Sequence, residues 1–112
     1  MIVAASLAQF PREACGFVLA NGGVVVAENV SEDPTQSFRI ADAAAAYWWP
    51  TNEIRAVWHS HCFAPAVPSE EDERQAHPDL ECWIYSVPDE QLGIYRPDEQ
   101  GRLQLVSMED VE

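Results

Sequence analysis

Basic side chains are scarce in this sequence of 112 residues. Only six are Lys or Arg, against 19 Asp or Glu, which gives a formal net charge of −13 at pH 7. Because binding to a phosphate backbone requires clustered Lys and Arg, this balance argues against nucleic acid as a partner and also disfavours anionic lipid. A neutral or basic protein partner is easier to accommodate, although solubility alone explains the acidic residues equally well.

Long apolar runs and a cysteine framework are also missing. No apolar run approaches the roughly 20 residues of a membrane span, and Met1–Phe10 lacks the basic segment of a secretory signal. The three cysteines leave at least one unpaired and are not spaced as a disulfide framework. We therefore expect a reducing, cytoplasmic location and no membrane partner. The length predicts a single domain over residues 1–112, with the oligomeric state left open.

Apolar segments and turn residues along the chain predict an α+β fold. The Asn21-Gly22 pair between two apolar runs indicates a β-hairpin, and Pro50 ends an Ala-rich helix. We expect a mixed, largely antiparallel sheet flanked by two or three helices. The predicted helices are Ile2–Gln9, Asp42–Trp49 and one beginning at Ser69; the predicted strands are Cys15–Ala20, Val24–Glu28, a brief Phe38–Ile40, Ile54–Trp58 running into the histidines, Cys82–Val87, Leu92–Arg96 and Leu103–Ser107.

Two smaller features carry structural predictions. Trp48 and Trp49 are expected to anchor the Ala-rich helix to the core, with a substrate platform as the alternative. The acidic Met108–Glu112 segment is expected to fray at the end of the chain.

The His59-Ser60-His61 tripeptide follows an apolar, partly β-branched segment that predicts a strand. Residues two apart in a strand project to the same face, so both imidazoles can point at one metal ion. A catalytic zinc ion takes three protein ligands and keeps a fourth position for water. The two histidines are therefore predicted to supply two of the three protein ligands of a hydrolytic zinc site.

The third ligand is predicted to be Asp72. A Pro-containing loop separates His61 from Ser69, and Ser69 opens an acidic helix whose first turn contains Asp72. Ser69 and Asp72 are also a good helix cap, and the two roles are compatible, because a capping hydroxyl can still donate its proton elsewhere. Glu13 is the remaining acid of interest, since a carboxylate near a zinc-bound water can carry its proton.

Glu13, the His59-x-His61 pair, Ser69 after seven intervening residues and Asp72 after two more together resemble the JAMM motif of the MPN domain family of zinc metallopeptidases. The segment from Pro11 to Gly16 is similar to the family's sequence around its catalytic glutamate. The resemblance extends to about Tyr95. It implies the curved sheet of the MPN domain, which is related to that of cytidine deaminases.

The resemblance also implies site roles. His59, His61 and Asp72 would bind one Zn²⁺ per chain, Glu13 would be the general acid and base, and Ser69 would support the tetrahedral intermediate. Small bacterial and phage-type members are the most similar in length. Some of these cleave ubiquitin-like or sulfur-carrier proteins near their C-termini, and others form the peptidase half of a phage tail-assembly protein. The implied activity is hydrolysis of a peptide or isopeptide bond in such a protein tail.

One residue departs from the family pattern, and two alternatives remain. Many members carry Pro after the second His, whereas Cys62 stands here, and its thiol can pack, oxidise or compete for the metal. The main alternative function is a non-catalytic MPN-type scaffold or assembly module, although every ligand type is present. A deaminase-like zinc hydrolase ranks last, because the chain lacks a Pro-Cys-x-x-Cys ligand pair.

Overall fold

The computed structural model describes residues 1–111, which form one six-stranded sheet and three α-helices. A short 3₁₀ turn at Trp49–Thr51 follows the second helix. None of the described helices is long and apolar enough to cross a membrane. The helices are α1 (Ile2–Gln9), α2 (Asp42–Trp48) and α3 (Glu70–Gln75), and the strands are β1 (Cys15–Leu19), β2 (Val24–Ala27), β3 (Ile54–His61), β4 (Glu81–Ser86), β5 (Gln91–Pro97) and β6 (Leu103–Asp110).

The sheet has the strand order β2-β1-β3-β4-β5-β6. Only the central β3–β4 pair is parallel, and the other four pairs are antiparallel. A parallel pair requires a crossover connection, and here the crossover contains α3 and the loop before it. The predicted α+β fold with a mixed, largely antiparallel sheet is therefore confirmed, and the crossover brings α3 back to the end of β3.

The predicted β1–β2 hairpin is also present. Gly22 has φ +89°, a conformation that favours glycine, and the Gly23 amide donates to the Asn21 side-chain oxygen at 2.8 Å. Four residues of β1 then pair in register with β2, from Cys15 opposite Ala27 to Val18 opposite Val24. The tight turn fixes this register, so that β1 is held between β2 and β3.

The hydrophobic core lies in two clusters. The larger surrounds Trp58 of β3, whose ring is completely buried and whose indole N–H donates to the Val25 carbonyl at 3.1 Å. Helix α1 contributes Ile2 to this cluster, and a smaller cluster forms around Ile84 of β4. Strand β3 is therefore anchored in the core along its length, and its last residues are held in fixed positions. The buried members of the two clusters are Ile2, Ala14, Val18, Ala56, Trp58 and Tyr85, and Ala66, Ile84 and Tyr95.

Three predictions about local structure were wrong. The Phe38–Ile40 segment forms a single bridge between Ile40 and Asn29 rather than a strand. Helix α2 has no buried residue: Trp48 is half-buried and Trp49 is 47% exposed, so the two tryptophans do not anchor the helix in the core. Strand β6 continues to Asp110 because it pairs with β5 over that length, so residues 108–110 do not fray; Glu112 lies outside the described residues.

Candidate metal centre

The end of β3 presents both histidines to one side of the sheet. His59 and His61 are the sixth and eighth residues of the strand, and both are buried, with 0% and 8% exposure. Alternation along a strand sends His59 and His61 to the same face. Their Nε2 atoms lie 3.2 Å apart. Two imidazole nitrogens this close together in a buried site can both bind the same cation.

Asp72 completes the group from the first turn of α3. The Ser69 hydroxyl accepts from the Asp72 amide at 3.1 Å, and an Asp72 carboxylate oxygen accepts from the Ser69 amide at 3.0 Å. This reciprocal arrangement is a capping box, so the predicted helix cap is confirmed. The cap also fixes the direction of the carboxylate, which faces the end of β3.

The three side chains lie close enough together to bind one metal ion. The Asp72 carboxylate oxygens lie 3.2 Å from the Nε2 atom of His59 and 3.2 Å from that of His61. Metal–ligand bonds of about 2.0–2.1 Å in tetrahedral geometry place neighbouring ligand atoms about 3.3 Å apart. The group His59, His61 and Asp72 can therefore bind one ion of this size. Within residues 1–111, these are the His, Cys, Asp and Glu side chains that lie close enough together to hold a metal.

The protonation states suit metal binding. Burial lowers the pKa of His59, which keeps this imidazole neutral. Burial also opposes the charged form of Asp72, but hydrogen bonds from the two histidines and the Ser69 amide outweigh it and hold the pKa of this carboxyl well below its usual range. Burial would lower the pKa of His61, yet its bonds to Asp72 and the Pro65 carbonyl raise it overall. A bound cation would take the place of the His61 proton.

Glu13 reaches the same cavity from the segment before β1. In the β1–β3 pairing Cys15 lies opposite His59, and the Ser60 amide donates to the Ala14 carbonyl at 2.9 Å. Extended by two residues beyond β1, this register would place Glu13 opposite His61, and residues directly opposite each other share a face of the sheet. Glu13 and His61 line one cavity of about 210 Å³ together with Ser69 and Asp72. Burial raises the pKa of Glu13 to about 8, with His61 as the main opposing charge.

Ser60 and Cys62, on either side of His61, form hydrogen bonds to the backbone next to Glu13. Ser60 is completely buried, and its hydroxyl accepts from the Ala14 amide at 2.8 Å. Cys62 is 4% exposed, and its sulfur donates to the Arg12 carbonyl at 3.3 Å. Burial raises the pKa of Cys62, so the group remains a thiol that can donate. Of the roles open to Cys62 in the sequence, packing is therefore the one that the structure favours.

Phe38 is a site residue that the sequence did not reveal. Its ring stacks on that of His59, with centroids 4.4 Å apart and planes 20° from parallel. His61 has its second ring nitrogen bonded to the Pro65 carbonyl at 2.8 Å, but the Nδ1 atom of His59 has no hydrogen-bond partner among the described residues. The orientation of His59 therefore depends on packing against Phe38. Phe38 lies 21 residues before His59, and no spacing rule links the two.

A comparison with protein families agrees with this geometry. The profile of the Prok-JAB family, described as prokaryotic homologs of the JAB domain, matches residues 1–102. The chain belongs to this family. The resemblance to small, phage-type JAMM proteins that the motif indicated is thereby confirmed.

A named relative of this JAB-domain chain comes from a bacteriophage. The tail tip assembly protein K of Escherichia phage N15 is 37% identical over 111 residues, which cover 94% of this chain and 44% of that protein. The JAB-domain chain thus spans less than half the length of this curated relative.

Removal of one ligand should abolish stoichiometric metal binding. Loss of a residue that only supports a ligand already costs about 10- to 100-fold in metal affinity, so His61→Ala should cost about 100-fold or more. Zinc per chain after dialysis, measured by mass spectrometry, should be close to one for the natural sequence and near zero for the variant. His77→Ala is the matched control, because His77 lies outside the group and should keep full occupancy. Equal zinc in both variants would rule out the assigned ligands.

Glu13 should make the metal-free protein less stable as the pH rises. Its folded pKa of about 8 lies above the unfolded value of about 4.5, so the folded state holds the extra proton between these values and the free energy of unfolding falls with rising pH. Glu13→Gln cannot ionise and should be more stable than the natural sequence at pH 8, on the order of a few kcal/mol, with no gain at pH 4.

Denaturant unfolding in the presence of a chelator measures this difference. Glu28→Gln, which changes an exposed carboxyl, should follow the natural sequence at both pH values. A Glu13→Gln variant that is equally destabilised at pH 4 and pH 8 would show that the Glu13 carboxyl is not desolvated.

Proposed function

We propose that this JAB-domain chain is a zinc-dependent metallopeptidase or isopeptidase that cleaves a peptide or isopeptide bond in a protein tail. The observation that carries the proposal is that a buried carboxyl with a pKa near neutrality, Glu13, shares one cavity with His61 and Asp72, two of the three side chains able to hold a metal. A general acid–base group works best with a pKa close to the working pH.

When bound by His59, His61 and Asp72, Zn²⁺ would polarise the scissile carbonyl and lower the pKa of water to about 7. Zinc is favoured over harder ions because two of the three donors are imidazoles, which suit zinc better than magnesium or calcium. Glu13 accepts the proton of the attacking water and then delivers it to the leaving amine. Its burial beside the ligands keeps the proton close to the reacting atoms.

Ser69 has a defined role in this proposal. Its oxygen already accepts a hydrogen bond from the Asp72 amide, so the hydroxyl hydrogen remains free to be donated to a developing oxyanion in the cavity. The cap therefore orients the serine while leaving its donor available.

The substrate is a neutral or basic protein segment. The cavity lining includes the carboxyl group of Glu13 and the carboxylates of Glu71 and Asp72, and neither Lys nor Arg is among the lining residues that the structure describes. A bound Zn²⁺ would offset much of the negative charge, but the lining still offers no Lys or Arg to pair with an acidic segment. The phage relative is a tail tip assembly protein, which makes a phage tail-assembly protein one substrate class and a ubiquitin-like or sulfur-carrier tail the other.

Glu13→Gln should abolish hydrolysis while zinc stays bound. The amide is nearly isosteric with the acid but cannot carry the proton, and loss of a general base typically costs about 10²- to 10⁴-fold in rate. The measurement uses the zinc-loaded chain with a library of quenched fluorescent peptides, together with zinc analysis of both proteins. Glu28→Gln is the control and should cleave at the natural rate.

Two results would contradict the proposal. Undiminished hydrolysis by the Glu13→Gln variant would remove Glu13 from the reaction. Full zinc occupancy without cleavage of any peptide or tail protein would instead favour the non-catalytic assembly module, a role that agrees with the name of the phage relative as a tail tip assembly protein.

A further inference from the structure

Asn29 is a buried amide that uses all of its hydrogen-bonding capacity. It is 2% exposed and lies two residues beyond β2. Its oxygen accepts from the Ser31 and Arg39 amides, each at 3.0 Å. Its nitrogen donates to the Glu13 carbonyl at 2.9 Å and to the Ser37 carbonyl at 3.0 Å. An Asn side chain offers two donors and one oxygen with two lone pairs, so every position is filled.

Two of these bonds lie on either side of Phe38. Asn29 binds the carbonyl of the residue before Phe38 and the amide of the residue after it. The Val30 amide adds a backbone bond to the Arg39 carbonyl at 2.8 Å. The backbone of Phe38 is thus held from both directions, and its ring is placed over His59.

Another bond of Asn29 holds the backbone of Glu13, the proposed general base. Asn29 holds the carbonyl of Glu13, and the Glu13 amide donates to the Pro34 carbonyl at 2.6 Å, in the same loop that carries Phe38. One amide side chain therefore connects the backbone of Glu13 with the backbone around Phe38. No other described hydrogen bond of a side chain joins these two segments.

The connection matters because it bears on what orients the His59 ring. Metal-binding histidines usually donate their second ring nitrogen to a carbonyl or carboxylate, which sets the direction of the ring. His61 has such a partner in Pro65, whereas Nδ1 of His59 has none among residues 1–111. The Phe38 ring at 4.4 Å supplies the orientation that a hydrogen bond would otherwise provide.

We propose that Asn29 is a positioning residue that sets, through the backbone, both the Phe38 ring that orients His59 and the carboxylate of Glu13. The Glu13 part of this inference rests on the proposed peptidase function. The Phe38–His59 part does not, because it concerns the direction of an imidazole that faces the candidate metal position.

Three variants separate positioning from folding. Asn29→Asp keeps the acceptor for Ser31 and Arg39 but replaces the donor with an oxygen that faces two carbonyls. Asn29→Ala removes all of these bonds, together with a longer one of 3.5 Å from the Asn29 nitrogen to the Pro34 carbonyl. Asn21→Ala is the matched control, because Asn21 is exposed in the β1–β2 turn and bonds only to Gly23 there. All are compared as zinc-loaded protein below their unfolding temperatures.

The first readout is the NMR shift of the carbon-bound ring protons of His59. A stacked Phe38 ring shifts these resonances upfield, and Phe38→Leu defines the unstacked position. We expect both Asn29 variants to move the His59 resonances toward the Phe38→Leu position while Asn21→Ala leaves them unchanged. Unchanged His59 shifts in both Asn29 variants would overturn the Phe38 part of the proposal, whatever the outcome for hydrolysis.

The second readout is turnover of the best-cleaved quenched fluorescent peptide. Misplacing a reacting group by about 1 Å costs on the order of 10²-fold, so kcat should fall about 10- to 100-fold with KM nearly unchanged. A change in KM alone would overturn the Glu13 part. If the natural sequence itself cleaves nothing, the proposed function fails while the NMR result still decides the Phe38 part. Loss of the folded state in both Asn29 variants would also contradict the proposal, because Asn29 would then be a residue of the folding core.

Discussion

The alternation of side chains at the end of β3 is the constraint on which the site depends. His59 and His61 point to the face where α3 returns with Asp72, while Ser60 and Cys62 form hydrogen bonds to the backbone on either side of Glu13. Four consecutive residues thereby position both the candidate metal ligands and Glu13. A shift of β3 by one residue would turn the two histidines away from Asp72 and break up the group. The burial of Trp58 in the core explains why such a shift does not occur.

The site places several acidic groups close together in a poorly solvated region. The same burial that raises the pKa of Glu13 to about 8 would also destabilise the Asp72 carboxylate, if the histidines and the helix cap did not bind it. A divalent cation would offset this negative charge, so the metal-free chain is expected to be less stable than the loaded one. If the proposed chemistry holds, the groups that perform it are retained at a cost in stability.

The grouping of His59, His61 and Asp72 could be predicted from the sequence because it depends on local rules. The period of a strand relates His59 to His61, and the capping box relates Ser69 to Asp72. Asn29 and Phe38 could not be predicted, because their contacts with Glu13 and His59 span 16 and 21 residues and follow from the path of a loop. Trp49 was misassigned for a similar reason. Its apolar ring suggested the core, but the preceding helix α2 buries none of its residues.

The most direct test of the account is X-ray absorption at the zinc edge on the loaded chain. The account predicts a first shell of nitrogen and oxygen at about 2.0–2.1 Å, with the outer scattering of two imidazoles and no sulfur. His59, His61 and Asp72 would supply that shell, and the Cys62 thiol would remain on the Arg12 carbonyl. A sulfur neighbour at about 2.3 Å, or a shell without imidazole, would contradict the assignment of the metal centre.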